Sequence, residues 1–199
     1  MGRCGSTLIF TVIRDALAKE IFPFLPLAIA RFFCSGSLWL PGKKLFKGFV
    51  HKTHSRGEDF PTDANPKIIY VFCLPSDSAL SVITNKSKKG LGWVSDHFKH
   101  LEVNGNHEDL PFYDVLRLED NIKEWRNKKN IEILFIRYEK IWEYRHQIEE
   151  FINLKIKLPL HRSRSSLSDE AQLLKETCKK NYLSLDQIVN DYSDFEIIS

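Results

Sequence analysis

Near its start the chain places glycines, a basic residue and hydroxyl side chains close together, in the segment Gly2-Arg3-Cys4-Gly5-Ser6-Thr7. Glycines let the backbone approach an anion closely, and hydroxyls can donate to phosphate oxygens. A helix that begins here would also present its unpaired N–H groups to the same anion. The segment therefore indicates a phosphate-binding loop. A plain glycine turn, with Ser6 or Thr7 as the helix N-cap, accounts for the same residues equally well.

The nucleoside-triphosphate signature GxxxxGK[ST] is not met by this segment, because its lysine and its spacing are both missing. An ATPase or kinase of the P-loop kind is thereby disfavoured, although it remains an alternative.

A second group with chemical potential is Lys52-Thr53-His54, which follows a short apolar run over Phe46 to His51. That run predicts a strand, and ligands of open parallel sheets bind beyond the carboxyl ends of the strands. His54 could take a proton from an acceptor hydroxyl or amine, and Lys52 could neutralise charge on a transferring group. Taken alone, the pair is more typical of a solvated basic loop. His51 alternates to the other face of the strand and is predicted to be structural.

The remaining pattern alternates strands with helices. Strands are predicted over Lys67 to Leu74 and Ile131 to Ile136, the first of them buried on both faces. The pattern predicts helices over Thr7 to Ala18, Ser76 to Thr84, Trp93 to Leu101, Leu116 to Lys128, Ile141 to Ile152 and Asp169 to Leu183. Strand and helix in repetition predict an α/β fold with a parallel sheet. The segments Gly57 to Pro66 and Leu158 to Ser168 are predicted loops, the second one basic.

The totals fit one domain over residues 1–199. With 29 basic and 26 acidic residues the net charge is +3, which is too small for a nucleic-acid-binding surface. The four cysteines show no metal-binding or disulfide spacing, so we expect reduced thiols, no metal and a cytoplasmic location. The apolar stretch Ile21 to Phe33 is shorter than the ~20 residues of a membrane span and is predicted to be buried core.

In this order, the motifs resemble those of the sulfotransferases that use 3′-phosphoadenosine 5′-phosphosulfate (PAPS). Arg3-Cys4-Gly5-Ser6-Thr7 is similar to the family's 5′-phosphosulfate loop, and Lys52-Thr53-His54 to its K-T-H, in which the histidine is the catalytic base. Lys67 to Ser81 resembles the strand, loop and helix that hold the 3′-phosphate, with Ser81 as a ligand. Arg137-Tyr138-Glu139 resembles the R-Y-E whose tyrosine lies near the adenine.

The resemblance implies a three-layer fold, a parallel sheet flanked by helices, with P-loop nucleotide-binding architecture. It implies that PAPS is the co-substrate, that 3′-phosphoadenosine 5′-phosphate (PAP) is the product, and that no metal takes part. The acceptor would be a small molecule, glycan or lipid, whose identity the sequence does not specify. The implied catalytic residues are Arg3, Lys52 and His54. The implied nucleotide ligands are Arg3, Cys4, Gly5, Ser6, Thr7, Ser81, Tyr138, Arg162 and Arg164.

Two departures from the family pattern bear on these roles. Cys73 stands where the family places an arginine on the 3′-phosphate, and Arg162 and Arg164 are the cations that could replace it. The family's loop also follows a central strand, whereas only Met1 precedes Gly2 here. We therefore expect a stretch upstream of Met1, or another segment, to fill the central position, because an empty one would leave buried backbone groups unpaired. A catalytically silent nucleotide-binding or interaction module of the same fold is the alternative function.

Overall fold

A computed structural model describes residues 4–39, 44–58, 60–61, 65–161 and 169–199, without the side chains of residues 37–39 and 170. The described chain is an α/β protein, as predicted. Its helices are α1 (Ser6–Ile21), α2 (Leu27–Cys34), α3 (Pro75–Lys89), α4 (Leu91–His100), α5 (Leu118–Arg126), α6 (Arg145–Ile152), α7 (Asp169–Asn181) and α8 (Leu183–Asn190). Its strands are β1 (Ser35–Trp39), β2 (Val50–Thr53), β3 (Ile68–Phe72), β4 (Ile133–Arg137) and β5 (Phe195–Ile198).

The strands form two small sheets of mixed orientation. β1 and β2 are parallel, with Ser35 opposite Val50. In the second sheet β3 is parallel to β4, with Ile68 opposite Ile133, while β5 runs antiparallel to β4. The one large parallel sheet that we expected is therefore not seen among the described strands. Likewise, no strand of the described part of the chain leads directly into the segment before α1.

The three-stranded sheet is buried on both faces because its side chains alternate between two apolar clusters. Tyr70 and Phe72 of β3, with Phe135 of β4, contribute to a cluster that includes Trp125 of α5. Val71 of β3 belongs to the other cluster, which side chains of β4, α1 and α6 complete. The prediction that this first long apolar run is buried on both faces is confirmed at its carboxyl end.

Most predicted elements are present, with shifted ends. β2 begins only at Val50, because Phe46 to Phe49 form a turn before it. The predicted helix over Asp169 to Leu183 continues into a second one, α8. The sequence patterns did not predict α2, β1, α8 and β5, which are all eight residues or shorter. Such short segments contain too few residues for a periodic pattern of apolar side chains to be recognised.

The prediction that Ile21 to Phe33 is buried core is wrong. The segment forms the turn between α1 and α2 together with most of α2, and it buries only the small side chains that pack between the two helices. Ala30 and Cys34 of α2 contact Ala18 of α1 there. Phe22 and Leu27 are half-buried against this contact, whereas most of the larger apolar side chains are exposed. No helix of the described residues is long and apolar enough to cross a membrane.

The prediction of reduced thiols is wrong for one pair of cysteines. Cys4 and Cys73 form a disulfide, although 69 positions separate them in the sequence. The fold brings them together because Cys4 lies two residues before α1 and Cys73 immediately follows β3, and both are buried. Sequence spacing could not show this pairing. Cys34 and Cys178 are free thiols and are also buried.

We expect thiol titration of the denatured chain to count two thiols without reductant and all four after reduction. Reduction should lower the free energy of unfolding by about 4 kcal/mol, since the bond closes a long loop and restricts the unfolded chain. Chemical denaturation with and without dithiothreitol measures the difference. Cys73→Ser is the control, because reduction should cost this variant nothing further. Four reactive thiols in the untreated denatured chain would contradict the pairing.

Candidate functional site

The segment before α1 is shaped by Gly5. Its φ of +78° lies in the left-handed region that side chains disfavour, and a Cβ at this position would overlap the ring of Tyr138. Tyr138 directly follows β4. Glycine is thus required here for two independent reasons, and the predicted loop and the predicted tyrosine lie in contact.

The amino end of α1 carries no side-chain cap from the described residues. Leu8 and Ile9 donate their backbone N–H groups to the Gly5 carbonyl, at 2.9 and 3.2 Å. The N–H groups of Ser6 and Thr7 precede these first helical bonds, as in every α-helix. They and the dipole of a 16-residue helix favour negative charge at this point.

Lys52 connects this helix end to the two-stranded sheet. Its Nζ donates to Thr7 Oγ1 at 2.7 Å. Lys52 is the third residue of β2, so the strand delivers its ammonium group beside the first turn of α1. A positive charge and unpaired helix N–H groups therefore lie together, which is the electrostatic arrangement that binds phosphate and sulfate groups.

The turn after β2 fixes the position of His54. Thr53 Oγ1 accepts the backbone N–H of Ser55 at 2.9 Å and donates to Ser55 Oγ at 2.8 Å. The Ser55 carbonyl in turn accepts the indole N–H of Trp125 at 3.2 Å, which ties the turn to α5. These hydrogen bonds fix Thr53 and Ser55, and therefore the backbone on both sides of His54.

His54 itself is buried against α4. Its ring centre lies 5.6 Å from that of His97 and 6.5 Å from that of His100, which share one face of the helix. Its Nδ1 is buried and finds no hydrogen-bond partner among the described residues. Burial, reinforced by the charge of Lys52 and by the neighbouring imidazoles, lowers the pKa of His54 to about 2. The ring is therefore neutral at physiological pH.

The segments expected to hold a 3′-phosphate contain a disulfide and a carboxyl group. Cys73, at the position for which the resemblance implies an arginine, is bonded to Cys4. The amino end of α3 is occupied by Asp186 of α8, whose Oδ1 accepts the Ser76 backbone N–H at 3.0 Å. Burial raises the pKa of this carboxyl above its ordinary value, although the hydrogen bond from the Ser76 backbone acts in the opposite direction. A carboxylate thus takes one of the N–H groups that an anion would use.

The remaining predicted site residues are Ser81 and three arginines. Ser81 lies almost two turns into α3, where its carbonyl accepts the Asn85 side-chain amide at 2.7 Å. Arg3, Arg162 and Arg164 lie outside the described residues. The start of the predicted basic loop is described, and His161 contacts Trp142 with ring centres 4.5 Å apart. Trp142 also contacts Tyr138, with ring centres 5.8 Å apart. The start of this loop is therefore linked to Tyr138 through Trp142.

Asp186, His97 and His100 are the site residues that sequence reasoning missed. Asp186 follows Ser76 by 110 positions and belongs to the unpredicted α8, so no local signal marks it. The two histidines sit within a correctly predicted helix, and a 3-residue spacing does place them on one face. Their position opposite His54, however, depends on how α4 packs.

His51 behaves as predicted for a structural residue. Its Nε2 accepts the backbone N–H of Phe46 at 3.3 Å, and its ring fills the space beside Gly36 on β1. Strand alternation separates it from Lys52, which points to α1 instead.

Comparison with models of protein families, with curated proteins and with solved structures finds no match to this chain.

The depressed pKa of His54 predicts a pH-dependent stability. Between pH 6.5, the ordinary pKa of histidine, and about 2, the unfolded imidazole binds a proton and the folded one does not. The free energy of unfolding should therefore fall as the pH drops below 6.5, by up to ~1.4 kcal/mol per pH unit from this group. Urea unfolding between pH 7 and pH 4 measures the slope.

His54→Gln removes the titrating group and should make this slope shallower. His146→Gln, at an exposed imidazole on α6, should leave the slope unchanged. Equal slopes in the His54 variant and the unmodified chain would show that His54 is not held neutral.

Proposed function

We propose that this chain transfers a sulfuryl group from PAPS to a hydroxyl or amine of an acceptor molecule. The observation that carries the proposal is the contact of Lys52 with Thr7 at the uncapped end of α1, with the neutral His54 two residues further along the chain. An anion-binding helix end, a mobile positive charge and a proton acceptor are the three functions that such a transfer needs.

The residues present fit the 5′-phosphosulfate end of PAPS. The N–H groups at the start of α1 and the hydroxyls of Ser6 and Thr7 can donate to its oxygens, and Lys52 can supply positive charge. Among the described residues, the buried Nδ1 of His54 has no hydrogen-bond partner, so it can accept a proton. Arg3 would add a second cation, as the resemblance implies, and Tyr138 would lie towards the adenine.

In the proposed reaction an acceptor oxygen or nitrogen forms a bond to sulfur while the bond from sulfur to the phosphate oxygen breaks. The electron pair of that bond stays with the phosphate of PAP. His54 takes the acceptor proton, and Lys52 balances the charge on the oxygens that leave. The neutral state of His54 is required, because a protonated imidazole could not accept a proton.

A pKa of about 2 makes His54 a weak base in the structure as described. Part of this depression comes from the positive charge of Lys52. An anion bound against Lys52 would offset that charge and raise the basicity of the imidazole. Binding of the sulfuryl donor and activation of the base would then be coupled through one lysine.

We expect His54→Ala to lower turnover on the order of 100-fold or more while PAP binding stays nearly unchanged, because the variant loses a proton acceptor and no positive charge. Transfer of labelled sulfur from PAPS, screened across phenol, sugar, lipid and peptide acceptors, measures turnover. Thermal unfolding would verify that the variant is folded.

His146→Ala is the matched control, since it removes an exposed imidazole from α6. Activity of the His54 variant equal to that of the control would remove His54 from the role of base.

A second candidate function is a catalytically silent module that keeps the fold and binds partners or nucleotides without transfer. Two observations favour it. The Cys4–Cys73 disulfide stands where the family pattern has an arginine, so the usual cation for the 3′-phosphate is absent from that position. Asp186 places a carboxylate at the amino end of α3, where a 3′-phosphate would meet like charge.

Titration calorimetry with PAP separates the two candidates. Sulfuryl transfer predicts a Kd below about 1 mM, that is, a binding free energy stronger than about −4 kcal/mol. Binding weaker than this would favour the silent module.

If the 3′-phosphate does approach α3, Asp186→Asn should tighten PAP binding about fivefold, since it removes a negative charge from a helix amino end. The amide oxygen can still accept the Ser76 N–H, so the fold should persist. Adenosine 5′-monophosphate, which has no 3′-phosphate, is the control ligand and should bind equally to both forms. An equal gain for both nucleotides would place the 3′-phosphate elsewhere.

A further inference from the structure

One end of the molecule exposes a set of large apolar side chains. They belong to the turn between α1 and α2, to the outer face of α2 and to the turn before β2. We call this set the aromatic patch, and it consists of Phe24, Ile29, Phe32, Phe33, Phe46 and Phe49. Phe24 is 97% exposed, Phe32 79% and Phe46 61%. Scattered apolar residues are normal on a surface, but a group of this kind marks an interaction site.

Strand pairing brings the two parts of the patch near each other. Ser35, which directly follows α2, lies opposite Val50, which directly follows Phe49. Within the parts, the rings of Phe32 and Phe33 are 5.8 Å apart and those of Phe46 and Phe49 are 5.9 Å apart. The end of α2 and the turn before β2 therefore form neighbouring portions of one surface.

The patch is also anchored to the rest of the fold. Ala18 of α1 packs on Ala30 and Cys34 of α2. Arg31 donates from Nη2 to Asp15 Oδ2 at 2.6 Å, which joins the same two helices. The exposed rings thus project from a helical hairpin whose inner side is already occupied.

Positive charge predominates in the segments that carry the patch. Residues 19–34 and 44–49 contain Lys19, Arg31, Lys44 and Lys47 against the single acid Glu20, a net charge of +3. The three lysines are exposed. Asp15, the other acid of α1, accepts hydrogen bonds from both Arg14 and Arg31, and its pKa is lowered. Aromatic side chains together with exposed lysines are typical of helices that lie on anionic lipid headgroups.

The shape of the patch favours a bilayer over a protein partner. Phe24 lies at the tip of the helical hairpin, between Pro23 and Pro26, where it is almost completely exposed. Because this ring protrudes, it does not form part of a concave surface into which a folded partner could fit. It can enter the boundary between headgroups and acyl chains, where aromatic side chains are enriched.

We propose that the aromatic patch docks on the surface of an anionic phospholipid bilayer. This inference does not depend on the proposed function. Docking would leave the candidate site accessible, because the patch adjoins the beginning of β2, whereas Lys52 is its third residue and His54 directly follows it. Three steps along the strand, about 10 Å, separate Phe49 from Lys52.

Co-sedimentation with phospholipid vesicles tests the proposal. The chain should sediment with vesicles of phosphatidylcholine and phosphatidylserine, and about tenfold less with phosphatidylcholine alone. Phe24→Ser combined with Phe32→Ser should reduce binding to the mixed vesicles about tenfold or more. Lys44→Ala combined with Lys47→Ala should reduce binding to the mixed vesicles only. Circular dichroism would verify that each variant is folded.

The matched control is Phe112→Ser combined with Leu160→Ser, which removes two exposed apolar side chains from elsewhere on the surface. It should bind vesicles like the unmodified chain. Absence of sedimentation of the unmodified chain with mixed vesicles would overturn the proposal. So would a dimer, seen by light scattering, that the Phe24 and Phe32 variant abolishes while vesicles are not bound, because the patch would then be a self-association surface.

Discussion

The first turn of α1 is held by the ends of three strands, and the candidate site depends on this arrangement. The Cys4–Cys73 disulfide ties it to the end of β3, the hydrogen bond from Lys52 to Thr7 ties it to β2, and Tyr138 after β4 packs against Gly5. β2 and β3 belong to different sheets. The helix end therefore joins the two sheets at the edge where their carboxyl ends lie, and it brings an uncapped helix terminus to that edge.

Much of this convergence could be predicted from the sequence. Gly5 and the hydroxyls that follow it indicate a helix start, and Lys52 and Tyr138 both follow apolar runs of strand type. Parallel strands place their carboxyl ends at one edge, so residues after such runs are expected to meet. The order of the motifs therefore predicts that one region of the fold contains Gly5, Thr7, Lys52 and Tyr138.

What the sequence could not predict depends on packing between distant segments. The pairing of Cys4 with Cys73 and the position of Asp186 at α3 both join residues far apart in the chain, and no local pattern encodes such distances. The hydrophobicity of α2 predicts burial for the whole segment, because hydrophobicity alone does not distinguish its faces. Its small residues, Ala30 and Cys34, make the interior contact with Leu27 half-buried beside them, and Ile29, Phe32 and Phe33 are exposed. Apolar composition therefore identified the segment but assigned its two faces incorrectly.

The two candidate functions use the same half of the site and differ in the other half. Around Thr7, Lys52 and His54 the charges and the open helix end suit an anion, whichever function holds. Around α3, Cys73 is bonded to Cys4 and Asp186 adds negative charge. The disulfide holds the segment before α1 against the end of β3 and leaves no ionisable side chain at Cys73. If the proposed nucleotide binds here, its 3′-phosphate requires cations from other segments. Arg162 and Arg164, which follow His161 in the sequence, are the cations proposed for this role.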